Sequence, residues 1–137
     1  MSRSILGAVA GFLAWWIIVS LIDRGVLHPL WPAYAAADTP AMLFDLPMKI
    51  ARLAESSIAS VLAALVARRI APASRYAVPA YGALLLILFL PIHSMIWTKF
   101  PVWYHVYFLS SLVVLPLLTQ WLLGRPASTA HATAGSV

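Results

Sequence analysis

An arginine and a glutamate three residues apart are the first candidates for chemistry in this sequence. Arg52 and Glu55 lie in the apolar segment 47–69 and would share one face of a helix, because residues three apart are neighbours on a helix surface. An ionisable side chain at the centre of a membrane-spanning helix costs about 2.5–3.5 kcal/mol on insertion scales. Two explanations are open: a substrate, proton or ion site, or a structural ion pair in which Arg52 neutralises Glu55.

Three further titratable side chains are expected at a similar depth. Asp23 follows the first apolar segment, His93 lies near the end of the third, and His105 lies near the start of the fourth. Together with Arg52 and Glu55 they make up the predicted polar pocket. A pocket that opens at this end of a helix bundle would gather such groups, but so would ordinary helix ends, which are polar in membrane proteins.

Metal, haem and nucleophile sites have no support in the residue spacing. His28, His93 and His105 could ligate a metal together with Glu55 or Asp23, but each histidine comes from a different segment. The sequence has no cysteine and no H-x-x-x-H, E-x-x-H or C-x-x-C-H motif. It also lacks the G-x-S-x-G motif of a nucleophile elbow. We therefore expect no metal, no cofactor and no enzymatic activity.

The composition indicates what surrounds these groups. Of the 137 residues, 63% are hydrophobic and 9% are charged, whereas a soluble domain carries about 25% charged residues. The net charge of +5 does not indicate nucleic-acid binding, because the nine Lys and Arg residues are scattered near the ends of apolar segments. These features predict a protein that is embedded in the lipid bilayer, which is its expected partner.

Four apolar segments are long enough to cross the hydrocarbon core of about 30 Å, at a helical rise of about 1.5 Å per residue. They are residues 5–22, 47–69, 77–97 and 102–123. The second is the least apolar, and if it lay on the membrane surface the number of spans would fall to three. The predicted fold is all-α: an integral membrane bundle of four transmembrane helices over residues 1–123, followed by a disordered tail at 124–137.

The start of the chain and the first connection carry further signals. The apolar run of the first segment is longer than a usual signal-peptide core, so a permanent anchor is expected rather than a cleaved signal. In the connection to the second segment, Thr39 with Pro40 and Asp45 with Pro47 are both typical of helix starts. A short surface helix is therefore expected before the second span.

Positive residues predict the orientation. With four spans, one side of the membrane receives a group of five arginines: Arg3, Arg68, Arg69, Arg75 and Arg125. The positive-inside rule places this side in the cytoplasm, so both termini are expected there. A bacterial inner membrane is the expected location.

Small residues form one face of each of the first two segments. The first face contains Ser4, Gly7, Gly11 and Ala14. The second face, which is expected to point into the bundle, also carries polar residues: it contains Lys49, Arg52, Glu55, Ser56, Ala59, Ser60, Ala63 and Ala67. Small residues let helices approach closely in lipid, and Trp15 is expected to pack beside the first face. The leading functional hypothesis is an accessory or interaction protein that binds a second copy or a larger membrane partner. The alternative is a small transporter or ligand-binding protein that uses the predicted polar pocket, opening to the outer side.

Overall fold

The computed structural model of the protein describes residues 3–124, and within this range it is all-helical. The α-helices in chain order are α1 Arg3–Ile22, α2 His28–Leu30, α3 Pro32–Ala37, α4 Leu46–Ile70, α5 Ala77–Met95 and α6 Val102–Gly124. A π-helical turn, Asp23–Leu27, joins α1 to α2 without a break. Four helical stretches are long and apolar enough to cross a membrane: Arg3–Leu30, α4, α5 and α6. The four predicted segments are therefore confirmed as helices.

The first helical stretch is longer than the apolar pattern predicts. It continues past Ile22 through the π-helical turn as far as Leu30. The apolar run ends at Ile22, but the polar residues Asp23 and Arg24 are compatible with helical backbone, so the helix continues beyond the apolar run. The predicted tail lies outside the described residues, except for Gly124, which ends α6.

The connection before α4 contains a short helix, although not at the predicted place. This helix, α3, begins at Pro32, a position where proline's missing N–H is not needed. Thr39 and Pro40 lie in a bend and turn instead. The second predicted helix start is confirmed, because Asp45 caps α4 by accepting the backbone N–H of Met48 at 2.9 Å.

The small-residue faces of α1 and α4 pack against each other. A Cβ atom added at Gly7 would lie 2.8 Å from the Cβ of Ala71, and one added at Gly11 would lie 2.9 Å from the Cβ of Ala67. Non-bonded carbon atoms prefer about 3.5–4.0 Å, so only glycine permits this approach. α4 is the most buried of the four long helices and packs against the other three. The second apolar segment therefore lies within the bundle rather than on its surface.

The two ends of the bundle are built from different parts of the chain. At the end that we call the terminal end, Ser74 in the α4–α5 turn donates to Ser4 at 2.7 Å. Arg68 donates there to the carbonyls of Gln120 and Leu123 at 3.0 and 2.7 Å. The start of α1 and the end of α6 thus lie together. The opposite end, the capped end, is covered by α2, α3 and the segment leading into α4.

Candidate functional site

The five residues of the predicted pocket all lie in the half of the bundle nearer the capped end, but in three separate groups. Asp23 belongs to a charged cluster at the surface. Arg52 and Glu55 line a small cavity inside the bundle. His93 and His105 pair with each other between α5 and α6. The structure therefore places the predicted residues near one another without joining them into one site.

Glu55 lines a cavity of about 150 Å³ between α1, α4, α5 and α6. The other lining residues are mostly aromatic: Trp15, Trp16, Val19, Arg52, Ser56, Phe89, Tyr104 and Phe108. Glu55 is only 5% exposed, and its Oε1 has no hydrogen-bond partner among the described residues. The hydroxyl of Ser56, also in the wall, is likewise without one. A buried polar atom left unpaired costs about 1–3 kcal/mol, so native proteins keep few of them.

Arg52 does not form an ion pair with Glu55, which was one of the two explanations that the sequence left open. Its Nη1 donates to the Tyr34 hydroxyl at 2.9 Å and lies 3.7 Å from Oδ1 of Asp38. Its guanidinium group also lies 4.8 Å above the ring of Phe44. Side chains on a helix lean toward its N-terminus, which carries Arg52 toward the capped end and away from Glu55. Within residues 3–124, Glu55 has no ion-pair partner.

The surface cluster consists of Asp23, His28 and Asp38. His28 Nε2 lies 3.1 Å from Oδ2 of Asp38 and 3.6 Å from Oδ2 of Asp23. One ligand atom from each residue lies within 4.8 Å of the others, so the three could hold a metal ion. Arg24, which is 68% exposed, reaches over them, with Nε 3.3 Å from Asp23 and Nη2 3.4 Å from Asp38.

The π-helical turn explains why residue spacing did not reveal this cluster. Asp23 and His28 are five residues apart, which on a regular α-helix separates them by about 140°. In the π-helical turn the backbone N–H of His28 bonds to the carbonyl of Asp23, five residues back, and the wider turn brings both side chains to one side. Asp38 comes from the chain beyond α3, so no local motif includes it. A search for helical ligand spacings could not have found this group.

Tyr34 connects the surface cluster to the cavity wall. Its ring is fully buried, and its hydroxyl donates to Oδ1 of Asp23 at 2.9 Å while accepting from Arg52. Burial raises the pKa of Tyr34, so its hydroxyl keeps the proton that it donates to Asp23. Tyr34 is a residue that sequence reasoning missed, since nothing in the spacing marks it.

His93 and His105 form a buried pair. Their Nδ1 atoms lie 2.8 Å apart, and Nε2 of His105 lies 3.2 Å from the carbonyl oxygen of Trp97. A carbonyl can only accept, so Nε2 of His105 carries a proton and its Nδ1 accepts from His93 in the neutral pair. The ring of His93 also stacks on Phe108 at 4.5 Å. These contacts tie α5 to α6 and use most of the polar capacity of both rings.

The three groups differ in what they can do chemically. The histidine pair is bonded within the protein, which suits a structural role. The surface cluster offers metal ligands, and the cavity offers a carboxylate oxygen and a hydroxyl among aromatic rings, which suits non-covalent binding of a small molecule. Comparison of the chain with protein-family models, with curated proteins and with solved structures found no match.

Proposed function

We propose that the protein is a small ligand-binding membrane protein whose binding site is the cavity at Glu55. The observation that carries this proposal is the oxygen of Glu55 that has no partner among the described residues and lies in a small, aromatic-walled cavity. A structural ion pair would need a partner for this carboxylate, and Arg52 is engaged elsewhere. An ionisable group inside a membrane helix is a functional candidate by default, and one without an ion-pair partner is a stronger candidate.

The outer surface of the bundle supports the membrane location. Large apolar side chains point outward along the long helices, among them Leu13, Ile17, Ile58, Ile87 and Val106. Water contact with this surface would cost roughly 25 cal/mol for each Å² of apolar area, a cost that lipid contact removes. Arg68 and Arg69 in the last turn of α4 and Arg75 in the α4–α5 turn lie at the terminal end. The positive-inside rule therefore supports cytoplasmic termini and an outward-facing capped end. A bacterial inner membrane fits this arrangement.

The cavity restricts the ligand by size and by chemistry. A volume of about 150 Å³ matches apolar cavities that are known to accommodate benzene. The ligand must also present a hydrogen-bond donor to Glu55, and a flat apolar face suits Phe89 and Phe108. Small aromatic molecules with one amine or hydroxyl group meet both conditions.

Binding of such molecules to the full-length protein in detergent tests the proposal. Phenol, aniline and benzylamine are the probes, and saturation-transfer NMR measures their binding. Glu55→Gln removes the acceptor charge, and Val19→Phe fills the cavity. Both should weaken binding at least tenfold. Ser57→Ala is the matched control, because the Ser57 hydroxyl bonds to the Leu53 carbonyl, and Ser57 does not line the cavity.

Two outcomes would contradict the proposal. One is that none of the three probes binds the wild-type protein. The other is that Val19→Phe and Glu55→Gln bind the probes as tightly as Ser57→Ala does, which would place any bound probe outside the cavity.

An interaction role remains the second candidate. The observation that favours it is an apolar groove of about 390 Å³ between α1 and α5, whose floor includes the small residues Ala8, Ala80 and Ala83. Against it, Gly7 and Gly11 already pack against α4, so they are not available to a partner helix. Light scattering of the purified protein checks self-association, and a stable dimer broken by Ala83→Leu would favour this role.

A further inference from the structure

We infer that Asp23, His28 and Asp38 form a binding site for a divalent transition-metal ion at the capped end. The inference is independent of the cavity at Glu55. All three side chains are partly buried, with 15–21% of each exposed, so an ion held between them could still reach solvent with its remaining coordination positions.

Two of the three distances between the ligand atoms are close to those around such an ion. Metal–ligand distances of about 2.0–2.1 Å in a tetrahedral site place neighbouring ligand atoms roughly 3.3 Å apart. The observed separations from His28 Nε2 are 3.1 Å to Asp38 and 3.6 Å to Asp23. All three ligand atoms lie within 4.8 Å of one another, so binding would draw the oxygens of Asp23 and Asp38 toward each other.

The two carboxylates are held so that one oxygen of each is directed at the histidine. Oδ1 of Asp23 accepts from the fully buried Tyr34 hydroxyl, and Oδ1 of Asp38 lies 3.7 Å from Arg52. The Oδ2 atoms of both face Nε2 of His28. Metal ligands in proteins are oriented in this way by donors to their outer atoms.

His28 alone cannot satisfy both carboxylates. A neutral imidazole has one N–H, and Nε2 of His28 can donate it to only one of the two Oδ2 atoms. Arg24 also contacts both oxygens, at 3.3 and 3.4 Å, and its side chain is 68% exposed. A divalent ion would serve both oxygens and the ring nitrogen at once, in competition with Arg24.

The ligand types select the class of ion. One imidazole nitrogen and two carboxylate oxygens suit Zn²⁺ or Mn²⁺, whereas Ca²⁺ prefers six to eight oxygen ligands. Three protein ligands also leave at least one position open, as in metal sites that exchange a water or a substrate group.

Calorimetric titration of Zn²⁺ into the tag-free, full-length protein in detergent tests the inference, with Ca²⁺ as the counter-probe. We expect one Zn²⁺ per chain, bound at least tenfold more weakly by His28→Gln and by Asp38→Asn. Each of these variants has a matched control. His131→Gln makes the same substitution at another histidine, and Asp45→Asn makes the same substitution at a carboxylate that caps α4 outside the cluster. Co²⁺ in place of Zn²⁺ gives a visible absorption band that reports the same site.

Arg24→Ala distinguishes a metal site from a purely structural charge network. Removing the competing cation should tighten Zn²⁺ binding severalfold, and this variant keeps all three ligands if another one fails to fold. The inference is overturned if wild-type protein binds no stoichiometric Zn²⁺, if His28→Gln binds it as tightly as His131→Gln does, or if Arg24→Ala binds it more weakly than wild type.

Discussion

At the scale of single residues, Glu55 stands out within residues 3–124 as a buried carboxylate with one oxygen that has no hydrogen-bond partner. Its carboxylate is nearly fully buried, and Arg52, one turn away, is bonded to Tyr34 instead. The sequence predicts the burial of Glu55 correctly, because its neighbours Ala59 and Ala63 mark the inward face. The sequence could not predict the direction of the Arg52 side chain, because its contacts with Tyr34 and Asp38 are formed only when the segment before α4 folds onto that helix.

Glu55→Gln should raise the stability of the protein. The substitution keeps the shape of the side chain but removes a buried carboxylate that forms no ion pair with any residue from 3 to 124. An unsatisfied buried group costs about 1–3 kcal/mol, and more if it is charged. The thermal midpoint in detergent, compared with that of Ser57→Ala, measures the effect. A marked fall in the midpoint for Glu55→Gln alone would show that the carboxylate has a structural partner.

The histidine pair should behave as one unit. Replacing either His93 or His105 by alanine breaks the same 2.8 Å hydrogen bond, so each variant should lose about 2–3 kcal/mol of stability through the lost bond and the buried atom left behind. The double variant should lose clearly less than the two single losses combined. Unfolding of the four proteins in one double-mutant cycle checks this, and strict additivity would contradict the pairing.

At the scale of helices, the sequence predicts well those features that depend on residues close together in the chain. The bounds of α4, α5 and α6 follow from apolar runs and from the Asp45 cap, and the packing of α1 on α4 follows from its glycines. The π-helical turn does not follow from any such rule. Because it sets the positions of Asp23 and His28, the charged cluster stayed hidden until the fold was known.

Gly7 and Gly25 make a matched pair for testing the packing of α1. Gly7→Ala places a methyl group 2.8 Å from Ala71, and overpacking of this kind costs typically 1–3 kcal/mol. A Cβ at Gly25 meets nothing within 4 Å, so Gly25→Ala should leave stability unchanged or slightly raised. Thermal midpoints of both variants in detergent decide the matter. Equal midpoints would mean that α1 and α4 lie farther apart than described.

At the scale of the whole molecule, the proposed function and the membrane topology both depend on which groups lie at which end of the bundle. The cavity and the charged cluster both lie toward the capped end. Arg68, Arg69 and Arg75 and the two ends of the described chain lie at the terminal end. If four helices cross the membrane, these two ends face different compartments. A ligand or ion would then reach its site from one compartment only.

Single cysteines can test that arrangement directly, because the natural sequence has no cysteine. Thr39→Cys lies in the exposed connection at the capped end, and Ala73→Cys lies in the exposed α4–α5 turn at the terminal end. In intact cells, a membrane-impermeant maleimide should label the first, and it should reach the second only after the membrane is permeabilised. The reverse pattern would invert the orientation but keep the four spans. Labelling of both positions in intact cells would place both ends of α4 on one side, which is incompatible with a helix that crosses the bilayer and with a cavity buried inside it.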